Sequence, residues 1–314
     1  MSSSQGVSFL LPVKNGEKFL DRSLRYMELN LAAGDEIVIV NNGSTDNTLN
    51  ILNDWAKLKP NIKIINSQKQ GLVNALNTGI EAAEKEWIAR FDVDDIYPAN
   101  RISETKKFLS DDISCVFSDY QLGTDGGKVL GVIPSAIEAN QTYLSLVSNR
   151  RTAHPSACFN RNAAIEVGGY LEEDFPSEDL SLWLRLSHVG KLVSIPKVLL
   201  NYRISPGSVS SVNRNKAIII KNTLIKNFKF DNEIFDNCVE QLSLTQVSYM
   251  NETLGTKRFV LHLYDLWLLS TKTNLSNVSV SRKIVKLILT SLQNYPAMGN
   301  LALEKFKRQI NRFQ

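Results

Sequence analysis

Short apolar runs of strand type alternate with helical runs through the first two hundred residues. A chain with that rhythm points to a mostly parallel sheet with helices laid on its faces. Val7-Ser-Phe-Leu-Leu11, Glu36-Ile-Val-Ile-Val40, Ile62-Lys-Ile-Ile65, Glu86-Trp-Ile-Ala-Arg-Phe91 and Ile113-Ser-Cys-Val-Phe117 read as strands. Between them, Glu17 to Leu31, Asp46 to Leu58, Gly71 to Glu84 and a stretch from near Pro98 to Leu109 read as helices. The first of these repeats Phe19, Leu20, Leu24, Met27 and Leu31 at helical spacing. The rhythm then breaks. Gly123-Thr-Asp-Gly-Gly-Lys128 reads as a tight turn between strands, and Tyr143 to Asn149 and Ser177 to His188 as helices. Lys191 to Tyr202 reads as two short strands split by Pro196. From about Asn213 the pattern is helical throughout, and the turn-rich Ser205-Pro-Gly-Ser-Val-Ser210 marks the expected boundary of a second domain.

Composition bounds the rest. With 43% hydrophobic residues in 314, the chain can bury a sizeable core, and its length suits about two domains. Three cysteines (Cys115, Cys158 and Cys238) are odd in number and far apart, which argues against a disulfide framework or a metal finger and fits a reducing compartment. Met1 to Val7 shows no basic stretch leading into a long apolar run, so no secretory leader is expected. No run approaches about 18 uncharged apolar residues, so no spanning helix is expected, and the location implied is cytoplasmic. Charge is unevenly placed: from Arg214 onward there are 15 Lys and Arg against 7 Asp and Glu, while residues 1–213 carry a net −4.

In an open parallel sheet, ligands bind beyond the carboxyl ends of the strands. The segments leaving those ends are Pro12-Val-Lys-Asn-Gly16, Asn41-Asn-Gly-Ser-Thr-Asp46, Asn66 to Gly71 and Asp92-Val-Asp-Asp95, so all four share one rim. Three carboxylates in four residues repel one another unless a counter-charge is present. Oxygen donors at a strand end suit a hard cation such as Mg²⁺ or Mn²⁺, and the bland alternative is an acidic turn capping the helix near Pro98. Asn41 to Asp46 offers left-handed backbone at Asn-Gly and two caps, Ser44 and Asp46, for the next helix; a free helix start also suits an anion. The dinucleotide glycine fingerprint and the Walker loop are both absent, which disfavours dehydrogenases and P-loop NTPases.

Taken together, Pro12-Val-Lys-Asn15, Val40-Asn-Asn-Gly-Ser-Thr-Asp46, Gly71-Leu-Val-Asn-Ala-Leu-Asn-Thr-Gly79, Ile88-Ala-Arg-Phe-Asp-Val-Asp-Asp95 and Ser177-Glu-Asp-Leu-Ser-Leu-Trp-Leu-Arg185 resemble glycosyltransferase family 2, in that family's order. The resemblance implies the GT-A (nucleotide-diphospho-sugar transferase) fold, an α/β fold with a mostly parallel central sheet flanked by helices, followed here by a helical C-terminal region. It divides the chain into a catalytic domain over 1–212, with a nucleotide-sugar half to about 96 and an acceptor half beyond it, and a basic helical domain over 213–314. The implied activity is inverting transfer of a single sugar from a nucleotide-diphosphate sugar, a UDP-sugar first, to a saccharide or lipid-linked saccharide, as in bacterial surface polysaccharide synthesis. The implied cofactor is a divalent metal, Mn²⁺ or Mg²⁺.

The resemblance also distributes roles. Pro12, Lys14, Asn15, Asn42, Ser44, Asp46, Gly71, Asn74 and Arg90 line the nucleotide-sugar side with Asp92 and Asp94. Relatives carry two acidic residues at Asn41 and Asn42, the second accepting a hydrogen bond from a pyrimidine; the Asn42 side-chain oxygen is expected to do this without charge. The metal set is Asp94 and Asp95, with Asp94 preferred for ribose and Asp95 for the ion. Asp179 matches the catalytic base, with His154, Glu178 and Trp183 on the acceptor side. The competing reading of Ser177-Glu-Asp179 is a helix cap with acidic residues in a favourable first turn. Ser205 stands where relatives often have a histidine. These departures leave a second class open, a non-catalytic module with a degraded site that binds nucleotide sugar or glycan. In the tail, Arg282 to Leu289 and Leu301 to Phe313 combine apolar spacing with basic charge. They read either as a domain packing its apolar face inward or as peripheral contact with the inner face of the cytoplasmic membrane. Few aromatics interleave with these charges, so nucleic acid is not an expected partner.

Overall fold

The computed structural model describes residues 5–124, 128–133, 135, 146, 152–204 and 212–228. The chain divides into two compact units, Met1–Phe228 and Lys229–Gln314. The second unit lies outside the described residues, and with it the helical expectation for 229–314.

Four apolar runs form the parallel half of the sheet: β1 (Val7–Val13), β2 (Glu36–Asn41), β3 (Ile62–Asn66) and β4 (Trp87–Arg90). β1 and β4 are buried throughout, as strands covered on both faces must be. In the sheet these four stand in the order β3-β2-β1-β4, and the remaining strands follow beyond β4. β1 to β4 pair in parallel, so the four polar segments that follow them do leave at one edge.

The helices alternate faces. Phe9 and Leu11 of β1 join the core under α1 (Glu17–Asn30), α2 (Thr48–Leu58) and α4 (Arg101–Lys106), which contribute Leu20, Leu24, Leu52 and Ile102. Leu10, pointing the opposite way, meets α3 (Leu72–Ala82), where Gly79 leaves room for it.

The second half of the sheet differs from the simple alternation. β5 (Ile113–Gly123) runs well past the expected Phe117, and the very short β7 (Cys158–Asn160) slots between β4 and β5, antiparallel to both. β6 (Val129–Ile133) returns antiparallel along the far part of β5. Instead of two strands split by Pro196, β8 (Lys191–Arg203) is one long strand parallel to β5. Its register passes from Ile195 opposite Ser118 to Val198 opposite Asp119, a bulge that takes up Pro196 and its missing N–H without ending the strand. The helix expected over Tyr143 to Asn149 lies outside the described residues except for Leu146, which is helical and buried. Among the described residues, further helices of the first unit are α5 (Arg161–Glu166), α6 (Glu178–Leu186) and α7 (Arg214–Asn227). Among the described residues no helix is long and apolar enough to cross a membrane.

A side chain at Gly79 would strike Leu10, a wholly buried residue. Replacing Gly79 by valine is expected to lower stability by about 1–3 kcal/mol through overpacking, read as a drop in the thermal unfolding midpoint.

Candidate active site

At the β1–β3 end of the rim, side chains are used to sew loops together. Asn15 adopts a left-handed φ of 52°, which asparagine tolerates, and its Oδ1 accepts from the Thr45 amide at 2.8 Å. The Asn15 amide donates to Ser44 Oγ at 3.0 Å, and the Glu17 amide to Asp46 Oδ2 at 3.1 Å. Asp46 Oδ1 also accepts from the Thr48 amide at the start of α2, as an N-terminal cap does. Ser44 and Asp46 therefore fix the loop. Asn41 is held on both sides, its Nδ2 donating to Asn66 Oδ1 at 2.9 Å and its Oδ1 accepting from the Ser44 amide at 3.1 Å. Asn42 Oδ1 accepts from the Gly71 amide at 2.9 Å, tying the end of β2 to the start of α3. The exposed Lys14 reaches Gln70 Oε1 at 3.3 Å, and Asn74 donates to Glu172 at 3.0 Å.

The acidic loop follows β4. Its three carboxylates face three arginines drawn from three separate elements. Arg90, 2% exposed, bonds Asp92 Oδ1 at 2.6 Å. Arg203, at the end of β8, bonds Asp94 Oδ2 at 3.1 Å. Arg101 of α4, 1% exposed, donates to the Arg90 carbonyl at 2.8 Å and lies over the rings of Phe91 and Tyr97. Tyr97 Oη in turn accepts from the Asp92 amide at 2.6 Å. Arg90, expected to line the nucleotide, is thus a buried counter-ion for the loop.

The three aspartates are not equivalent. Asp92 and Asp94 keep about a third of their side chains exposed, at 31% and 28%. Asp95 is buried, and its Oδ1 accepts from the Arg203 amide at 2.8 Å while Oδ2 has no partner. The preference for Asp95 as the metal ligand therefore meets a structural obstacle: its carboxylate is turned into the protein to hold the end of β8. Low-dielectric surroundings push the pKa of Asp92 up, with Arg90 opposing and Asp94 adding to the rise. Asp95 is pushed up further by burial and by repulsion from Asp92.

The first turn of α6 carries the other carboxylates. Asp179 Oδ1 accepts from the Leu180 amide at 2.7 Å, and its pKa is raised by desolvation against the pull of that bond, Lys221 and Arg90. Glu178 is buried at 5% exposure, with Oε2 lacking a partner; burial and the Asp179 charge push its pKa up to about 8. Arg90 and Asp92 both act electrostatically on Glu178, so the helix start and the acidic loop meet in one field. Behind α6, Trp183 is wholly buried against Phe117, Phe159, His154 and Tyr170. Expected on the acceptor side, it is instead the anchor that fixes the helix. His154 is part of the same cluster, its Nε2 within 2.8 Å of Tyr170 Oη, and burial with the nearby Arg90 pushes its pKa well below the usual value. Ser205 lies outside the described residues. The sequence reading gave no role to Tyr97, Arg101 or Arg203; the signal available for Arg203 was its place in Tyr202-Arg-Ile-Ser205, beside the segment already singled out.

The mixed sheet with helices on both faces is the GT-A fold, with an acidic loop at its parallel edge and a carboxylate-bearing helix start in the same electrostatic field. Residues 8–165 match the family model described as Glycosyl transferase family 2, and the chain belongs to that family. An uncharacterized glycosyltransferase of Haemophilus influenzae is 24% identical over 97% of this chain and 97% of its own length. The UDP-Gal:alpha-D-GlcNAc-diphosphoundecaprenol beta-1,3-galactosyltransferase of Escherichia coli is 28% identical over 62% of this chain and 71% of that protein. Among solved structures, S. aureus TarS 1–349 in complex with UDP-GlcNAc superposes with a TM-score of 0.60 at 14% identity, covering 94% of this chain and 93% of that one. The mannosyltransferase PcManGT of Pyrobaculum calidifontis, in complex with GDP-Man and Mn²⁺, superposes with a TM-score of 0.58 at 15% identity, covering 99% and 81%.

The raised pKa of Glu178 has a stability consequence. Between its ordinary value of 4.5 and about 8, the unfolded chain has released this proton and the folded chain still holds it, so stability falls as pH climbs through that window. Glu178→Gln is expected to flatten that part of the pH profile, measured by chemical denaturation across the same range.

Proposed function

We propose that the protein is an inverting glycosyltransferase that moves one sugar from a nucleoside-diphosphate sugar to a hydroxyl of a saccharide or lipid-linked saccharide, in the synthesis of bacterial surface polysaccharide. The observation that carries this reading is that Arg90 bonds Asp92 of the acidic loop and also acts electrostatically on Asp179 at the start of α6. The E. coli relative, named for transfer from UDP-Gal to a diphosphoundecaprenol-linked GlcNAc, supports a UDP-sugar as the first donor to test and a lipid-linked acceptor.

In this reading the nucleotide base lies over the Asn41–Asn42 end of β2, bounded by Pro12, Lys14 and Gly71, and the diphosphate extends toward Asp92 and Asp94. Asp179 takes the proton of the acceptor hydroxyl as that oxygen bonds to the anomeric carbon; the bond to the diphosphate oxygen breaks on the opposite face, and its electron pair leaves with the nucleotide. The helix start aims the carboxylate, and the aromatic packing of Trp183 keeps the helix from yielding. Burial and the neighbouring Asp179 charge push the Glu178 pKa up to about 8, so Glu178 favours its protonated form beside Asp179. A hard divalent cation fits the donor set at the loop, because Asp92 and Asp94 keep carboxylate oxygens at the rim. Asp94 would hold it, leaving Asp92, fixed by Arg90, for the ribose. Bound there, Mn²⁺ or Mg²⁺ offsets charge on the departing diphosphate. The Mn²⁺ in PcManGT, a protein of the same fold, supports that choice.

Asp179→Asn is expected to reduce transfer by about 10²–10⁴-fold while leaving donor binding nearly intact, measured by nucleotide release with acceptor present and by calorimetry. Asp94→Ala should abolish Mn²⁺-dependent nucleotide binding, measured by calorimetry with and without the ion, and lower the unfolding temperature because the Arg203 guanidinium loses that partner. Asp95→Ala should destabilise the fold by about 1–3 kcal/mol, because the Arg203 amide loses its acceptor. The excess of basic residues after Arg214 supports peripheral contact with anionic lipid. Flotation with vesicles containing phosphatidylglycerol should carry the protein at low salt and release it at high salt; no flotation at low salt would remove that part of the reading.

A further inference from the structure

Asp179 is a half-buried carboxylate, and its ionised form needs a positive group close by. Arg90 acts on it, but that guanidinium is already bonded to Asp92 at 2.6 Å. α7 brings a second cation by running alongside α6. At the start of α6 the Ser177 hydroxyl donates to the Ala217 carbonyl at 3.2 Å. Past its end the His188 ring lies 5.0 Å from the Phe228 ring, centroid to centroid. The two helices are thus joined at both ends and point the same way. Four and eight residues on from Ala217 come Lys221 and Ile225, so the three share one stripe of α7. Ile225 is buried, whereas Ile219 on the opposite side is 67% exposed, so this stripe is the inward one. Long helical side chains lean back over the preceding turn, which carries the half-buried Lys221 toward Ala217 and the Ser177-Glu178-Asp179 turn bonded to it. Lys216, by contrast, is directed to the Phe175 ring, 5.5 Å from its Nζ.

We infer that Lys221 is a positioning residue for sugar transfer: its ammonium group keeps the Asp179 carboxylate ionised, so that the base is ready to take the acceptor proton. This rests on the proposed role of Asp179. The electrostatics around that carboxylate agree with the packing. Burial pushes its pKa up, and against burial work the Leu180 amide and then Lys221, ahead of Arg90. The other ionisable groups in this field bring no positive charge. Glu178 shares the turn and is pushed up to about 8 by burial and by Asp179, with Asp92 adding to the rise from the acidic loop. Burial pushes Tyr170 up and His154 down, each away from its charged form. Among the described residues, then, Arg90 and Lys221 are the cations that act on the base, and Arg90 is shared with the acidic loop. Lys221 lies beyond residues 8–165, which match the family model, and its placement gives part of the basic excess after Arg214 a local use.

The test is carbon-13 NMR of the full-length protein labelled at its aspartate carboxyls and titrated with acid and base. The Asp179 signal is the one missing from Asp179→Asn. In the wild-type protein it should report an ionised carboxylate at neutral pH. Lys221→Gln should make that carboxyl easier to protonate by about tenfold in its ionisation constant, with the other aspartate signals titrating as before. Lys221→Arg, which keeps the charge, should restore most of the difference. A change of less than about twofold in Lys221→Gln would overturn the inference, as would a change in Lys221→Arg as large as that in Lys221→Gln. So would an Asp179 found protonated at neutral pH in the wild-type protein, a result that does not depend on either variant folding. The role of Asp179 is judged apart from this, by transfer. Undiminished transfer by Asp179→Asn would remove the base and this inference with it. An inactive Asp179→Asn beside an unmoved titration in Lys221→Gln would remove the inference alone.

Discussion

Three carboxylates at the end of a buried strand are sustainable because three arginines arrive at the same place from different parts of the chain. Arg90 comes from β4 itself, Arg101 from α4 and Arg203 from the far end of β8. None can be spared cheaply, since removing one partner of a buried pair strands the other's charge. The acidic loop is thus the point at which the parallel half of the sheet, one flanking helix and the last strand of the unit are bound to a common electrostatic requirement. The geometry of the candidate site is inherited from that balance. Asp95 is spent on holding β8, which leaves Asp92 and Asp94 at the surface and makes the loop a place with two usable carboxylates and a third that keeps them there.

Much of the architecture was visible beforehand, for reasons that can be traced. β1 and β4 are covered on both faces, so they read as continuous apolar runs, and the convergence of their loops follows from parallel pairing alone. The antiparallel half was hidden because its cues are short or misleading. Cys158–Asn160 is too brief to register as a strand in sequence, yet it bridges β4 and β5. Pro196 looked like a break and is a bulge in a strand that continues. Cys115 and Cys158, distant in sequence, end up buried on adjacent strands as free thiols.

The site was legible in its residue types and less so in its orientations. The acidic triplet and the Glu178-Asp179 pair were found by charge density next to apolar runs, a signal composition carries well. What sequence cannot carry is which way a side chain turns. Arg90 looked like a ligand-facing cation and is buried; Trp183 looked like a sugar platform and is the floor of α6; Asp95 looked like a metal ligand and is turned inward. Two of these come from a long-range contact between segments far apart in the chain, Phe117 with Trp183 and Arg203 with Asp95, while Arg90 is held by its near neighbour Asp92.

α6 and β8 are consecutive, so the helix that bears Asp179 leads directly into the strand that ends in Arg203. Thirteen residues of strand make a stiff rod about 40 Å long, and its tip clasps the acidic loop. Because neighbouring side chains on such a rod point to opposite sides, adding or deleting one residue along its straight stretches would swing the guanidinium away from Asp94. The bulge at Pro196 is a slack joint, and a second register shift lies between Val198 and Asn201. Related chains that differ in length through this region should have absorbed the difference there, leaving the span on either side unaltered.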